Sequence, residues 1–360
     1  MSAIHQLVAG YANGDAISNE ALVLRKIFRD WGYASEIFCE TKRILPELCR
    51  DARDLATATG AIHSDDIALL HLSIGSTANE VYRQLRCRKA LLYHNVTPPE
   101  YFRGIQEQIA HQLALGRDQA RALAGAAQVN LADSAFNAAE LEQLGYSRVA
   151  IFPLVLDFER LRGEVSRARL DKFADGLTNI LFVGRGAPNK CLDDVLAAFH
   201  YFQQYVVPDS RLIHVGSYAG LETYEGVIRT RIRELGLVNV ELTGNLPQAQ
   251  LNACYRSAHA LLSMSEHEGF CIPLIEAMVF DVPILAYAAG AVPETLDSAG
   301  VLFHEKRFDL VAEMLGRLIR DANLRAAILT KQRERLSRYE NRNLAAELRT
   351  HLAPLLYSGG

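Results

Sequence analysis

Residues 258–278 read AHALLSMSEHEGFCIPLIEAM. An apolar run, 260–262, enters a short polar segment, 263–268, that carries two carboxylates and a histidine. Gly269 follows, and Pro273 suits the first turn of an amphipathic helix, where its missing N–H costs nothing. The pattern is strand, loop and helix N-terminus, and the amides and dipole at such a junction favour an anion. Glu268 and Glu276 stand across the loop and into the helix. If both face one cleft, they accept hydroxyl groups while the amides hold phosphate. Together these are the needs of a sugar nucleotide.

Alternating strand and helix patterns extend from this stretch in both directions. Upstream, 179–183 reads as a strand, 184–190 as a loop and 192–202 as a helix. A strand at 211–215, a helix at 222–235 and a strand at 238–242 follow. The turn at 243–247, opening with Thr243 and Gly244, is placed to edge a nucleobase, and 248–256 is helical. Downstream, 282–287 is a strand, 288–296 a loop containing Gly290, and 300–303 a last strand before continuous helix from Asp309. In the loop GRGAPNK (184–190), Arg185 and Lys190 stand beside Gly184 at a strand-to-helix junction. Two cations there suit a diphosphate, because they neutralise charge growing on a leaving group. The loop lacks G-x-x-x-x-G-K-[ST], so an ATP-hydrolysing P-loop is not expected. No D-x-D pair accompanies it. Asp193 and Asp194 read as first-turn charges favouring a helix dipole, so no metal is expected at the diphosphate.

The first half repeats the scheme. A strand at 4–9 leads into a turn with Gly10 and Gly14, then Asp15 and a helix. G-x-G-x-x-G is absent, so NAD or FAD is not expected, and the glycines instead let the backbone approach a substrate. Strands follow at 35–39, 68–72 and 90–93, the second leading into the loop 73–77 that opens with Ser73 and the third into His94. In an open α/β sheet ligands sit outside the carboxyl ends of strands, so the 10–15 loop, Ser73 and His94 are expected to converge. His94 reads as a substrate contact or as a structural hydrogen-bonding group. One or two helices over 105–129, strands at 129–132 and 150–154, and a helix at 138–144 complete this part. The predicted domains are 1–155, a charged linker at 156–176, a second domain at 177–335, and a C-terminal helix within 336–360 that packs back on the first.

Composition sets the outer bounds. Apolar residues make up 49% of 360 and charged residues 22%, enough for two buried cores. A net charge of −4 gives no global attraction to nucleic acid. No run reaches the roughly 18 apolar residues of a membrane span, and the start has no leader pattern, so a cytoplasmic protein is expected. Cysteines 39, 49, 87, 191, 254 and 271 form no C-x-x-C pair and read as reduced thiols. The segment 82–90, YRQLRCRKA, has four basic residues and no acid. It suits either a solvated face or peripheral contact with an anionic membrane or lipid-phosphate acceptor.

These pieces resemble a GT-B fold retaining glycosyltransferase of family 4 (glycosyl transferases group 1). The resemblance rests on Glu268 and Glu276 within SEHEGFCIPLIEAM, on VGRGAPNK (183–190), on AYAAGAVPE (286–294), and on two similar domains in series, and it is most specific over 180–305. It implies an α/β architecture of two Rossmann-like β/α/β domains facing across a cleft, with a C-terminal helix crossing back to the first. Arg185 and Lys190 would then bind the diphosphate and stabilise it as it leaves. Glu268 would hold donor-sugar hydroxyls near the amides of Gly269, Phe270 and Cys271. Glu276 would accept from the ribose, and His94 would meet the donor sugar near its reacting carbon. The implied activity is metal-independent hexosyl transfer with retention, with no bound cofactor beyond the nucleotide-sugar donor. The segment HNVTPPEYF (94–102) and the two donor loops look most like bacterial surface-polysaccharide, O-antigen or lipopolysaccharide mannosyltransferases. GDP-mannose is the favoured donor and a UDP-sugar the competitor, with a glycan or lipid-linked acceptor. The first loop, AGYANGDAISNE (9–20), departs from the family in lacking a double glycine. Another GT-B enzyme and a noncatalytic nucleotide-sugar or glycan-binding protein are the alternatives.

Overall fold

Runs such as IALLHL (67–72) and SRLIHV (210–215) are buried along their whole length. This is the signature of parallel strands covered on both faces. In the computed structural model, which describes residues 2–357, the chain divides into two units. The first takes the chain up to Glu100, then Glu107–Asp157, then the part from Arg342 on, and the second takes Tyr101–Gln106 and Phe158–Asn341.

The first unit holds seven strands: β1 (Ile4–Leu7), β2 (Ile37–Cys39), β3 (Arg53–Asp54), β4 (Ile67–Leu72), β5 (Arg88–Tyr93), β6 (Val129–Ala132) and β7 (Val149–Ile151). All pairings are parallel, in the order β3-β2-β1-β4-β5-β6-β7. The order reverses between β1 and β4, so the carboxyl ends of β1, β4 and β5 flank the crevice where such sheets bind ligands. Helix Ala16–Asp30 follows β1 and buries Ala21, Leu24 and Phe28, spaced three and four apart on one face. Helix Leu344–Leu356 sends Leu348, Leu352 and Leu355 into the same core as Ile4, Leu24, Phe28, Ile67 and Leu92. Truncating one of these leucines to alanine costs ~2–5 kcal/mol, which makes the C-terminal helix part of the first unit's stability.

The second unit holds β8 (Thr178–Val183), β9 (Ser210–Val215), β10 (Val240–Leu242), β11 (Ala260–Ser263), β12 (Ile284–Tyr287) and β13 (Val301–Phe303). Its order is β10-β9-β8-β11-β12-β13, again all parallel. The reversal falls between β8 and β11, whose following loops are the two donor loops of the sequence reading.

The charged stretch 156–176 is not bare linker. It carries helices Phe158–Leu161 and Arg167–Lys172, and from Phe158 it belongs to the second unit. Arg169 reaches Glu241 of β10 at 3.2 Å and Gln250 at 3.1 Å, and Lys172 reaches Glu241 at 2.6 Å. The basic segment 82–90 is likewise partly spent inside its unit. Arg88 donates to the carbonyls of Leu355 and Asp65, and Lys89 Nζ donates to the Arg83 carbonyl at 3.0 Å. Arg83 and Arg86 stay exposed. Among the described residues, no helix is long and apolar enough to cross a membrane.

Candidate active site

The loops of the second unit begin with two glycines that touch. A Cβ on Gly216, just after β9, would lie 1.7 Å from the Gly184 carbonyl oxygen, so no side chain fits there. The same carbonyl accepts from His214 Nε2 at 2.9 Å, which leaves Nδ1 to accept from the Tyr218 hydroxyl at 3.1 Å. Burial lowers the His214 pKa to about 4, so the ring is neutral and in this tautomer. The Tyr218 ring fills the place a Cβ on Gly186 would take, 2.2 Å from it. Arg185 thus sits on a turn braced on both sides, exposed, with Nη2 donating to the Ala219 carbonyl at 3.0 Å. The Gly216 N–H donates to the Gly244 carbonyl at 3.0 Å, and the Thr243 hydroxyl lies 2.9 Å from that oxygen and 3.2 Å from the His214 carbonyl. Thr243 and Gly244 therefore share the rim with Gly184.

The loops after β8 and β11 are stitched together. The Glu266 N–H donates to the Asn189 carbonyl at 3.0 Å, and Asn189 Nδ2 donates to the His267 carbonyl at 3.2 Å. Lys190 Nζ donates to Glu268 Oε2 at 2.6 Å, with side chains only 22% and 10% exposed. Burial works against the lysine's charge, but Glu268 outweighs it and holds the Lys190 pKa above its ordinary value. Each loop ends in a cysteine with left-handed backbone, Cys191 at φ 50° and Cys271 at φ 70°, immediately before helices Leu192–Tyr201 and Ile272–Val279. Such conformations cost roughly 1–3 kcal/mol in a residue other than glycine and concentrate at functional sites. Burial and the Glu268 carboxylate push the Cys271 thiol well up, so it is not a thiolate.

The third loop, after β12, supports Glu268 from behind. Gly290 has φ 57°, and a Cβ there would lie 2.5 Å from the Glu268 carbonyl oxygen, which accepts the Ala291 N–H at 2.9 Å. Phe270, next along, offers its carbonyl to the Thr295 hydroxyl. Glu276 lies one turn into its helix, and its Oε2 accepts from the Tyr255 hydroxyl at 2.6 Å. Burial raises the Glu276 pKa, and the tyrosine hydrogen bond opposes that rise. Asp194 is paired with Lys306 at 2.6 Å, and the same ammonium meets Glu266 at 2.6 Å. Donor atoms of Cys191, Asp194 and Glu266 lie close enough to share an ion, but Lys306 already supplies the positive charge there.

In the first unit, Gly10, Gly14 and Asp15 follow β1, Ser73 follows β4 and His94 follows β5, on three adjacent strands. Asp15 caps helix Ala16–Asp30, its Oδ2 accepting from the Ser18 amide at 2.8 Å and the Ser18 hydroxyl at 2.7 Å. Gly14 has φ 77° in the turn before it. The His94 ring is buried, with Nδ1 at 3.0 Å from Asp133 Oδ2 and Nε2 at 2.9 Å from His71 Nδ1. A sugar hydroxyl could claim a ring nitrogen only by displacing Asp133 or His71. Glu20 Oε2 lies 3.6 Å from His94 Nε2. Burial alone would lower the His94 pKa; Asp133 and Glu20 reverse that and hold it up at about 9. Burial lifts Glu20 to about 7 against the pull of His94, and it drives His71 well below its ordinary value.

The sequence reading did not reach Glu20, His71, Asp133, Asn189, His214, Tyr218, Tyr255 or Lys306. One signal was available: His71 ends a strand as His94 follows one, and β4 and β5 are neighbours with Leu72 beside Tyr93.

Two doubly wound parallel sheets in series, each with its loops gathered at a strand-order reversal, define the GT-B class of fold. Residues 169–339 match the family described as "Glycosyl transferases group 1", and the chain carries that domain. It is 32% identical over 150 residues to a D-inositol 3-phosphate glycosyltransferase of Segniliparus rotundus, covering 41% of this chain and 33% of that protein. It is 31% identical over 182 residues to the GDP-mannose:cellobiosyl-diphosphopolyprenol alpha-mannosyltransferase of Xanthomonas campestris, covering 49% of this chain and 45% of the relative. The chain thus spans less than half the length of these curated relatives. Among solved structures it is similar to Anabaena Alr3699/HepE in complex with UDP and glucose, at 16% identity and a TM-score of 0.74, over 99% of this chain and 100% of that one.

Proposed function

We propose that the protein is a metal-independent retaining glycosyltransferase that moves a hexose from a nucleotide-sugar, GDP-mannose in first place, onto a glycan or lipid-linked acceptor. The observation that carries this reading is the Lys190–Glu268 pair at 2.6 Å, in a glycosyl transferases group 1 domain with Arg185 on the same loop as the lysine. An ammonium has three N–H groups, so Lys190 can hold Glu268 ionised and still donate to a phosphate oxygen. Glu268 then accepts from sugar hydroxyls, and Arg185, with five N–H donors, spreads the diphosphate charge as the bond to the sugar breaks. Glu276, oriented by Tyr255, accepts from the ribose. The work of a divalent ion at the diphosphate is assigned to Arg185 and Lys190.

The GDP-mannose preference is supported by the activity for which the Xanthomonas relative is named, and the UDP-sugar alternative by the UDP held in the Anabaena structure. Calorimetry with GDP, UDP, ADP and TDP in the presence of a chelator separates them. Tightest binding by GDP is expected. Selective UDP binding moves the donor to a UDP-sugar, and absence of any nucleotide binding removes the phosphate site altogether. With Arg83 and Arg86 the exposed basic residues of 82–90, peripheral attraction from that segment to an anionic leaflet amounts to about 2 kcal/mol. Vesicle sedimentation with and without anionic lipid measures it.

A further inference from the structure

Residues 98–106 read PPEYFRGIQ and stand far from the donor loops in the chain. The chain leaves the first unit after Glu100 and rejoins it at Glu107, and the six residues between, Tyr101–Gln106, belong to the second. They form a stiff turn. Pro98 and Pro99 restrict the backbone on entry, and a 3-10 turn covers Pro99–Phe102. The Phe102 carbonyl accepts from the N–H groups of Ile105 at 3.1 Å and Gln106 at 2.8 Å, and the Phe102 ring is buried.

The two ends of this turn bear on two different loops. At one end the Tyr101 ring lies 6.3 Å, centroid to centroid, from the His267 ring. Burial and then the Glu266 carboxylate lift the Tyr101 pKa to about 12, so the hydroxyl stays protonated and faces that carboxylate as a donor. Glu266 and His267 immediately precede Glu268, and through them the loop is tied to Asn189. At the other end Gln106 Nε2 donates to the Gly220 carbonyl at 3.1 Å. The carbonyl one residue earlier, that of Ala219, is the one that holds Arg185 Nη2 at 3.0 Å. Gly220 stands at φ 74°, and the turn sends its two successive carbonyls to two partners.

We propose that Tyr101 and Gln106 are positioning residues of the donor site, Tyr101 fixing the loop that carries Glu268 and Gln106 the turn that holds Arg185. The proposal rests on the roles given to Glu268 and Arg185 above. Side chains on loops hold their geometry only as well as the groups behind them, and small displacements of a binding group are costly. The two ends do separable work. A nucleoside diphosphate meets Arg185 and not Glu268, whereas a nucleotide-sugar meets both. Loss at the Tyr101 end therefore falls on the sugar nucleotide alone, and loss at the Gln106 end falls on both ligands.

Calorimetry on the full chain compares GDP with GDP-mannose and UDP with UDP-glucose. Tyr101→Ala should leave diphosphate affinity unchanged and weaken the nucleotide-sugar on the order of fivefold, the worth of one ordinary hydrogen bond. Tyr101→Phe, which keeps the ring against His267 and loses the hydroxyl, should fall between Tyr101→Ala and wild type. Gln106→Ala should weaken both members of the pair by a similar factor. A segment that only stabilises the fold gives a different result: in Tyr101→Ala the Tm falls and the two ligands weaken equally or not at all, which overturns the proposal. Full diphosphate affinity in Gln106→Ala overturns the Gln106 assignment. Hydrogen exchange on the unliganded protein adds a readout independent of any ligand. Faster exchange at 263–268 in Tyr101→Ala and at 217–221 in Gln106→Ala is expected, and unchanged exchange at both loops overturns the proposal. Failure of wild type to bind any of the four ligands removes the reading of the site and the proposal with it, a result seen before any variant is made.

Discussion

Lys190 and Glu268, 78 residues apart in the chain, meet at 2.6 Å in a pocket that leaves the carboxylate only 10% exposed. Lys190 ends a short 3-10 turn, Pro188–Lys190, and Glu268 stands on the loop stitched to it through Asn189. Lys190→Ala is expected to cut turnover ~10²–10³-fold with a smaller change in donor KM, since its largest contribution falls where charge develops. Unchanged turnover in steady-state assays removes it from the leaving-group role.

The same pair makes a stability prediction. Removing one partner of a buried pair costs ~3–5 kcal/mol, and less here because the lysine is about a fifth exposed. Lys190→Met and Glu268→Gln should therefore each destabilise, while the double variant costs less than their sum. Urea unfolding of the four proteins completes the cycle, and strict additivity would show that the two charges do not stabilise one another.

Glu276 and Tyr255 test the ribose assignment. Glu276→Ala should weaken nucleotide binding by ~1.5–3 kcal/mol, the worth of hydrogen bonds to a charged group. Tyr255→Phe removes the 2.6 Å bond that orients the carboxylate and should weaken it less. Calorimetry with GDP and UDP reads both, and unchanged affinity in Glu276→Ala rejects the ribose role.

Much of this arrangement was legible beforehand because it depends on spacing. Strand, loop and helix follow each other closely at 179–202 and 260–279, so Arg185, Lys190, Glu268 and Glu276 could be placed at strand carboxyl ends from the sequence alone. What stayed hidden depends on partners far along the chain. The His214–Gly184 and Lys306–Asp194 contacts each join separate elements, and no local pattern announces them. The left-handed turns at Cys191 and Cys271 were hidden for another reason: neither residue is a glycine or asparagine, so the usual marker of that backbone is missing. The segment 156–176 was read as linker because it is charged, but its charges pair with Glu241 and Gln250.

Two glycines separate backbone strain from collision. Gly236 has φ 60° with open space where a Cβ would go, whereas Gly290 has φ 57° and the Glu268 carbonyl oxygen 2.5 Å away. Gly236→Ala should cost ~1–3 kcal/mol of stability from backbone strain and leave activity intact. Gly290→Ala should cost more and abolish transfer, because the Glu268 backbone must move. Equal activity in the two variants would show that Glu268 tolerates displacement.

His214 sets an acid limit. Its pKa is about 4 when folded against an ordinary 6.5, so between those values the unfolded chain binds the extra proton and stability falls as pH falls. The sign follows from a depressed folded pKa in a base: nothing is lost above pH ~6.5, and the loss is complete below ~4, where it reaches about 3 kcal/mol. At pH 5 the loss is about 2 kcal/mol. Two other histidines with lowered pKa values, His5 and His259, act in the same direction. The measurement is therefore a difference: urea unfolding at pH 7.5 and pH 5 for wild type and His214→Gln. Wild type should lose about 2 kcal/mol more than the variant across that interval, and an equal loss would mean that the ring bracing Gly184 is not held neutral.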